Sequence, residues 1–539
     1  MTAADLIVSH IHRAGVRALF GVPGGGGNLD LIDAAGRADL PFVLTSTETA
    51  AAIAALAQAE ITGRPGACLT TLGPGAASVV NGVACAFLER APVVVFTDSQ
   101  SAAAGGAFEH QRLDHAALLA AITKSSETLT AANALQVIER ALHTAADGRP
   151  GPVHVDCPGD VAGASAQAEG AVLLGSVRHA PVSEQQTRLD AMLRSARKPL
   201  MIVGLGARRA ADADAIRSLC DRRRIPAMVT YKAKGVVPDD HPWFAGVFTN
   251  AAIEQDTIAA SDLLIGLGLD PVELLPRPWT HRQPIVYCGP WRVEDGHVPF
   301  AAQVVSDVAS IVPALERALA QADWDPARVQ HLVGEQRRRA DVTSTRPDTE
   351  RLTAQQVAKL AAARLAPAAG HVTIDAGAHM FPATMFWPVR EPNGMLISNG
   401  LSTMGFALPA AIGAALLDRD RPVVALTGDG GLLMCAGELL TAVREGLRII
   451  TIVFNDASLS LIEIKQQARR LPAAGVALGA VDWCRLAESV GMAAWTAQGE
   501  AALDHAIDQA LQTRGPCLID VKIDRSNYGA TLRAIRGHG

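Results

Sequence analysis

The run PVVALTGDGGLLMCAGELLTAVREGLRIITIVFND, residues 422–456, decides the fold. It starts as a β-branched strand after a proline and breaks at Gly428-Asp429-Gly430-Gly431. It then continues as a Leu/Ala-rich helix and ends in a second apolar strand that stops at Asn455-Asp456. Two near-continuous apolar strands joined through a helix read as a βαβ unit, and parallel strands of this composition are covered by helices on both faces. The same pattern recurs in PVVVFTD, GPVHVDCP, PLMIVGLG, DLLIGLGLD and HVTIDAG, each separated from the next by Ala-rich helical stretches. The expected fold class is therefore α/β, built from Rossmann-like, doubly wound parallel sheets.

A chain of 539 residues is too long for one core, and at roughly 150 residues per domain it holds three or four. Two stretches lose periodicity. One is Ala/Gly/Ser-rich and runs from Ala162 to about Val182; the other is the polar GEQRRRADVTSTRPDTER from about Gly334 to Arg351. They divide the chain into three expected domains, residues 1–165, 180–330 and 350–539. The first and third echo each other. ACAFLERAPVVVFTD ends at Asp98 and GAALLDRDRPVVALTGD at Asp429, both small-residue helices followed by an acid-Arg turn and a strand. The echo suggests two related domains flanking a third.

Composition narrows the function. Hydrophobic residues make up 49% and charged residues 19%, as in globular proteins. A net charge of -6 gives no broad basic field, so nucleic acid is not an expected partner. The opening MTAADLIVSHIHRAGV lacks the basic start and apolar core of a signal peptide, and no apolar run is long enough to span a bilayer. A cytoplasmic protein without a membrane partner is expected. The eight cysteines never form a Cys-x-x-Cys pair, so neither a disulfide framework nor a zinc site is implied.

The chemistry concentrates at Gly428–Gly431. A glycine-rich turn between a strand and a helix lies at the carboxyl edge of a parallel sheet, where open α/β folds bind ligands. Glycines let the backbone approach an anion, and the helix N-terminus offers N–H groups to phosphate. Asp429 inside such a cradle suits a hard cation bridging to the phosphates, since Mg²⁺ takes oxygen ligands from a few protein groups and the phosphates themselves. Asn455, at the end of the next parallel strand, supplies a second oxygen at the same edge.

Gly428-Asp429-Gly430 followed by a helix, a strand and Asn455 resembles the diphosphate-metal motif of thiamine diphosphate enzymes. LFGVPGGGGNLDLIDA, TLGPGAASVVNGVACAFLERAPVVVFTD, AITK, GRPGPVHVDCP and NGLSTMGFALPAAIGAAL resemble, in order, stretches of the acetolactate synthase and pyruvate oxidase-decarboxylase branch, over nearly the whole chain. The resemblance implies that the first domain binds the cofactor's aminopyrimidine, through Gly73, Pro74 and Asn81, and that the third binds its diphosphate. The two come from different subunits, so a homodimer or tetramer is implied. Asp429, Asn455 and the carbonyl of Ala457 become the protein ligands of Mg²⁺, with Gly428, Gly430, Gly431, Ser458 and Leu459 around the diphosphate. Met404 matches the residue that wedges between the cofactor's rings and bends it.

Glu48, in LTSTETAAAIAALAQAE, matches the glutamate that hydrogen-bonds the pyrimidine nitrogen. A carboxyl in a mostly apolar pocket has a raised pKa and can share a proton with that nitrogen, favouring the imino tautomer that removes the thiazolium C2 proton. Local sequence also explains Glu48 as a helix-start acid capped by Ser46 or Thr47, and both readings can hold. Gln111, in EHQRLD, aligns with a glutamine near the reacting centre and joins Glu48 as a catalytic candidate. Gly25, Gly26, His110, Gln111 and Lys124 are the substrate-side candidates.

Three features depart from the branch. Thr47 stands where a His usually precedes the glutamate, and Gly24–Gly27 with Asn28 replace a less glycine-rich loop, so the substrate side is expected to be roomier or more polar. His110 and His115 flank Gln111. After Asn455, DASLSLIEIKQQARRLP lacks the usual Trp-Gln pair and is one residue longer, which leaves the acceptor open; Glu463 and Lys465 are its pocket-edge candidates. The central domain's MIVGLGARR and LLIGLGLDP are weak dinucleotide signals, and tight FAD binding is not expected. The expected activity is thiamine diphosphate- and Mg²⁺-dependent decarboxylation of a 2-oxo acid with carboligation. The alternatives are a non-ligating decarboxylase or C–C lyase of the benzoylformate decarboxylase or benzaldehyde lyase type and, less favoured, a non-catalytic cofactor-binding subunit.

Overall fold

A computed structural model describes residues 1–101, 107–166, 183–294, 296–342 and 350–537. The first domain holds six strands: β1 (Leu19–Val22), β2 (Phe42–Leu44), β3 (Gly66–Thr70), β4 (Val93–Ser99), β5 (Ser126–Thr128) and β6 (Val153–Pro158), in spatial order β2-β1-β3-β4-β6-β5. The central domain holds β7 (Pro199–Val203), β8 (Ala227–Val229), β9 (Phe244–Val247), β10 (Leu263–Leu267), β11 (Ile285–Gly289) and β12 (Phe300–Val305), in order β12-β11-β10-β7-β8-β9. The third holds β13 (Leu352–Thr353), β14 (His371–Ile374), β15 (Met395–Ile397), β16 (Val423–Gly428), β17 (Ile449–Asn455), β18 (Ala493–Ala497) and β19 (Cys517–Asp524). Its order is β13-β19-β17-β16-β14-β15, with β18 also on β19. The strand pairs are parallel, as in β3 with β4, β7 with β10 and β16 with β17, which gives three α/β domains of the expected class.

Leaving aside the two-residue β13, the first and third sheets share one order: second, first, third, fourth, sixth, fifth. The relation suggested by the sequence echo holds for the sheets but not for the echoed segments. Asp98 lies on β4, the fourth strand, whereas Asp429 follows β16, the third. An Ala-rich helix before an apolar strand is common to every unit of such a sheet, so the local likeness does not mark equivalent positions. The central order, sixth-fifth-fourth-first-second-third, is the Rossmann order, with its switch point between β7 and β10.

The helix after the second strand packs the two outer domains together. In Glu48–Thr62 every residue from Ala50 to Glu60 is buried, because the helix lies between its own sheet and helix Ala407–Ala415 of the third domain. Small residues allow that approach: a Cβ on Gly413 would stand 2.4 Å from the Ala54 carbonyl oxygen. One apolar cluster runs through both domains, from Ala18 and Phe20 to Trp483 and Leu518. All three domains meet at Lys232, which is buried with Nζ 2.5 Å from Glu60, 3.1 Å from Glu89 and 3.1 Å from the Ile397 carbonyl.

The second expected linker needs correction. Helix Pro326–Ala340 runs through its first part, burying Val329, Leu332, Val333, Gln336 and Ala340. Their spacing of three and four residues is helical, and it was obscured by the run of half-buried Arg337 and exposed Arg338 and Arg339. Residues 343–349, and residues 167–182 of the first linker, lie outside the described residues.

Candidate active site

Parallel strands deliver their carboxyl ends to one edge, so each loop that follows a strand is a candidate. In the third domain β16 runs straight into helix Asp429–Cys435 with Gly428 as its N-cap. Asp429 is 5% exposed. Its Oδ1 accepts from Gly430 N at 2.8 Å and its Oδ2 from Ala457 N at 2.6 Å. Burial, reinforced by the nearby Asp456 charge, raises its carboxyl to about 6. The β16–β17 register pairs Thr427 with Val453 and Gly428 with Phe454, which puts Asp429 beside Asn455. Asn455 Nδ2 donates to Asp520 at 2.8 Å, so Oδ1 is the amide atom left for a cation. Ala457 meets Asp429 through its N–H, in a left-handed backbone conformation at φ 56. Its carbonyl accepts from Leu478 N at 3.0 Å, leaving one lone pair for a metal.

The glycines are fixed by their surroundings. A Cβ on Gly430 would stand 2.8 Å from Leu459 Cδ2 and 3.4 Å from Met404 Cε. One on Gly431 would stand 2.6 Å from Asp375 Oδ2. Met404 and Leu459 thus both lie against Gly430. Ser458 continues the loop, its N–H on Asp456 at 3.0 Å and its Oγ on Glu463 at 2.8 Å. Glu463 is also bound to Arg525 at 2.6 Å, while Lys465 is exposed.

Two residues here were missed at the sequence level. Asp375, after β14, accepts from Thr427 Oγ1 at 2.9 Å, Ala376 N at 2.8 Å, Gly405 N at 3.2 Å and Phe406 N at 3.3 Å. It fastens the Met404 loop to the cradle, and burial raises it to about 6 against those hydrogen bonds. His379 stacks on Phe454 with ring centroids 5.0 Å apart, and its Cε1 and Nδ1 lie 3.3 Å from where a Gly428 Cβ would stand. Burial lowers it to about 4, so it is neutral, and its Nε2 has no protein partner. The strand end TIDAG offered a clue to Asp375; nothing local marks His379.

In the first domain Glu48 is the first residue of its helix. Thr47 caps it by accepting from Ala50 N at 3.2 Å, so the helix-start reading holds. Its Oε1 also faces the next loop, 3.1 Å from where a Gly75 Cβ would lie. Gly73 has φ 62, and its N–H donates to His115 Nε2 at 3.2 Å. His115 Nδ1 in turn meets Asp156 at 3.0 Å. Accepting at Nε2 assigns the proton to Nδ1, so His115 is a buried tether of the Gly73–Pro74 turn and not a loop residue on the surface. Gln111, at φ 56, lies over Gly73, its carbonyl 2.8 Å from where a Cβ would stand. Asn81 Nδ2 donates to Thr403 Oγ1 at 2.9 Å, one residue from Met404.

The substrate-side candidates separate. Gly24 and Gly26 lie on Asp98, whereas a Cβ on Gly25 would meet nothing within 4 Å, so this glycine faces open space. His110 is exposed, and its carbonyl accepts from Gln100 at 3.0 Å. Lys124 lies before β5, with its N–H on the Pro152 carbonyl at 2.8 Å and its Nζ on the Asp147 carbonyl at 2.7 Å. Both partners precede β6, so Lys124 stands at the amino edge of its own sheet, away from Glu48 and Gly73. A cavity of about 1340 Å³ opens at the carboxyl edge of the central sheet, lined by Gly206, Arg208, Trp291 and Ser306. The Leu205 N–H of the turn after β7 is taken by the buried Glu273 carboxyl at 2.9 Å.

The donor set fits a small oxygen-bound cation and a diphosphate: one carboxylate, one amide oxygen and one carbonyl beside a glycine turn, with a neutral imidazole packed beside it. Comparisons with known proteins agree. The chain matches the N-terminal thiamine pyrophosphate-binding domain of thiamine pyrophosphate enzymes over residues 1–118, their central domain over 187–315 and their C-terminal binding domain over 375–521. The chain belongs to the thiamine pyrophosphate enzyme family. Within it the chain is acetolactate synthase-like. It is 30% identical to the catabolic acetolactate synthase of Raoultella terrigena, covering 97% of this chain and 95% of the relative. It is 29% identical to the acetolactate synthase of Bacillus subtilis, covering 97% and 93%. A probable 2-ketoarginine decarboxylase of Pseudomonas aeruginosa is 28% identical, covering 97% and 94%. The protein is thus a thiamine diphosphate-dependent enzyme of the lyase or transferase kind. Among the described residues no helix is long and apolar enough to cross a membrane.

Proposed function

We propose that the chain catalyses thiamine diphosphate- and Mg²⁺-dependent decarboxylation of a 2-oxo acid followed by ligation to a second carbonyl, as a homodimer or a tetramer with sites between subunits. The observation that carries this reading is the β16–β17 register, which sets Asp429 beside Asn455 while Gly430 lies against Met404 and Leu459. Asp429, Asn455 and the Ala457 carbonyl hold the cation. The Gly428–Gly431 turn receives the diphosphate, with the neutral His379 ring packed beside Gly428. When bound, thiamine diphosphate supplies the carbon that adds to the keto group and stabilises the negative charge left by CO₂ loss.

Glu48 hydrogen-bonds the pyrimidine nitrogen and shares a proton with it, Met404 holds the bend, and Gln111 over the Gly73 turn lies at the substrate side. Exposed Leu433, Met434 and Leu440 follow the cradle, and exposed Phe108, Leu113 and Leu118 flank Gln111. Apolar surface at both half-sites suits a second subunit that closes them and excludes water.

A second reading, decarboxylation without ligation, is favoured by the name of the Pseudomonas aeruginosa relative and by the open space at Gly25. Incubation with cofactor, Mg²⁺ and a panel of 2-oxo acids, with and without aldehyde acceptors, separates the two when CO₂ and products are followed by mass. A coupled product is expected. Free aldehyde alone selects the second reading, and no CO₂ from any 2-oxo acid defeats both.

A further inference from the structure

Ser46 and Thr47 form the turn directly before Glu48, and both of their N–H groups donate to one carboxylate of the third domain. Ser46 N lies 3.0 and 3.2 Å from Glu438 Oε1 and Oε2, and Thr47 N lies 3.1 Å from Oε1. Ser46 Oγ donates to the Gly437 carbonyl at 2.8 Å, and Thr441 Oγ1 donates to Glu438 Oε2 at 2.8 Å. Glu438 is 0% exposed. Burial raises its carboxyl, opposed by the hydrogen bonds from Thr441, Ser46 and Thr47. A buried carboxylate is costly unless its oxygens are satisfied; here they are satisfied largely by the backbone that presents Glu48.

The Thr47 cap does not perform this task. Its Oγ1 joins Thr47 to its own helix through Ala50 N but leaves the turn to be placed by something else. On one side Thr45 N is held by the Gly21 carbonyl at 3.1 Å, within the first sheet. On the other, Glu438 is the charged acceptor. It opens helix Glu438–Arg444, which follows the helix that starts at Asp429. One short stretch of chain therefore carries the cation ligand at its start and the holder of the Glu48 turn further on.

We propose that Glu438 is a positioning residue for Glu48: its carboxylate fixes the start of helix Glu48–Thr62, and with it the aim of the Glu48 side chain, against the third domain of its own chain, while the cradle that Glu48 faces is brought by the second subunit. This rests on Glu48 being the pyrimidine-side acid. Domain packing does not depend on Glu438, because the apolar cluster shared by the two domains provides it. Loss of Glu438 is therefore felt at Glu48 before it is felt in the fold.

The test uses the full chain with Glu438→Gln, which keeps the volume, and Glu438→Ala. Amide hydrogen exchange of residues 44–48 in cofactor-free protein reads the turn directly and is expected to speed up about tenfold in Glu438→Ala. In the loaded enzyme, exchange of the cofactor's C2 hydrogen is expected to slow by about tenfold or more in Glu438→Ala and by less in Glu438→Gln, with cofactor and Mg²⁺ affinity within about twofold of wild type. Adding Glu438→Ala to Glu48→Gln is expected to slow C2 exchange no further, since a positioning residue has nothing left to position. Unchanged protection at residues 44–48, wild-type C2 exchange in both Glu438 variants, or additive slowing in the double variant overturns the proposal. If Glu438→Ala does not fold, Glu438→Gln decides by the same readouts. C2 exchange that is untouched in Glu48→Gln alone overturns the reading of Glu48 itself.

Discussion

The turn after the third strand allows the first and third domains to be compared on the same scaffold. In the first, β3 leads to Gly73 and Pro74. The Gly73 N–H is tied to His115 and Pro74 has no N–H to offer, so this turn is depleted of anion-binding donors. In the third, β16 leads to Gly428-Asp429-Gly430, where an acid sits inside the turn and is gripped by the N–H groups of Gly430 and Ala457. The helices after the second strands, Glu48–Thr62 and Ala407–Ala415, pack on each other, yet one opens with an acid and the other follows the Met404 loop. One strand order carries two chemistries, and the division lies in individual side chains rather than in the sheet.

The comparison predicts that the third-domain acid governs binding and the first-domain acid governs chemistry. The largest effect is expected from Asp429→Ala. Without its carboxylate the cradle loses the only charged cation ligand proposed for it, and cofactor affinity in Mg²⁺ is expected to fall by about a hundredfold or more, with activity lost in step. Titration of cofactor by calorimetry checks this, and unaltered affinity in Mg²⁺ removes Asp429 from the cation site. Glu48→Gln is expected to keep cofactor affinity near wild type while turnover falls by about a hundredfold, in the range of lost acid-base assistance. Binding and turnover falling together in Glu48→Gln would erase the distinction between the two domains.

Much of that division was legible in the sequence because its signals are local. A strand ending in Gly-Asp-Gly and the next ending in Asn, at parallel register, place Asp429 beside Asn455 without further information. The class of fold was legible for the same reason, since seven apolar runs read as strands became β4, β6, β7, β10, β14, β16 and β17. What escaped depends on contacts far apart in the chain. Glu438 meets Ser46 across 392 positions, and His115 meets Asp156 across 41; neither partner announces the other. Lys124 was read into the site by resemblance, but the start of β5 carries it to the opposite edge. The extent of helix Pro326–Ala340 was hidden because a run of three arginines, two of them exposed, made a half-buried helix look like a linker.

His115 gives a middle-sized effect. His115→Ala removes the acceptor of the Gly73 N–H and the partner of Asp156, leaving a buried donor unsatisfied at a cost of about 1–3 kcal/mol. Thermal stability is expected to drop, and turnover to fall several-fold through the loosened Gly73 turn under Gln111. Stability that falls while turnover per folded molecule stays unchanged would confine His115 to the scaffold.

The smallest expected effect separates the two domains by pH. Each holds a buried neutral imidazole: burial lowers His379 to about 4, against the Leu426 carbonyl, and His154 to about 4, against the Asp156 charge. An unfolded histidine takes up its proton near 6.5, whereas these folded ones wait until about 4, so the unfolded chain binds more protons between those values. Stability is therefore complete above about 6.5 and is lost as pH falls towards 4. The two residues differ in their partners. His154 is bonded at both nitrogens, to Ser126 Oγ at 2.6 Å and Thr97 Oγ1 at 2.7 Å, while His379 Nε2 has none. His379→Gln is thus expected to flatten the acid limb of melting temperature against pH with little change at pH 7.5. His154→Gln is expected to lower the melting temperature at pH 7.5 as well, because two buried hydrogen bonds go with it. A His379→Gln variant that loses as much at pH 7.5 as His154→Gln would show Nε2 to be bonded within the protein after all, and would take away the contrast between the two imidazoles.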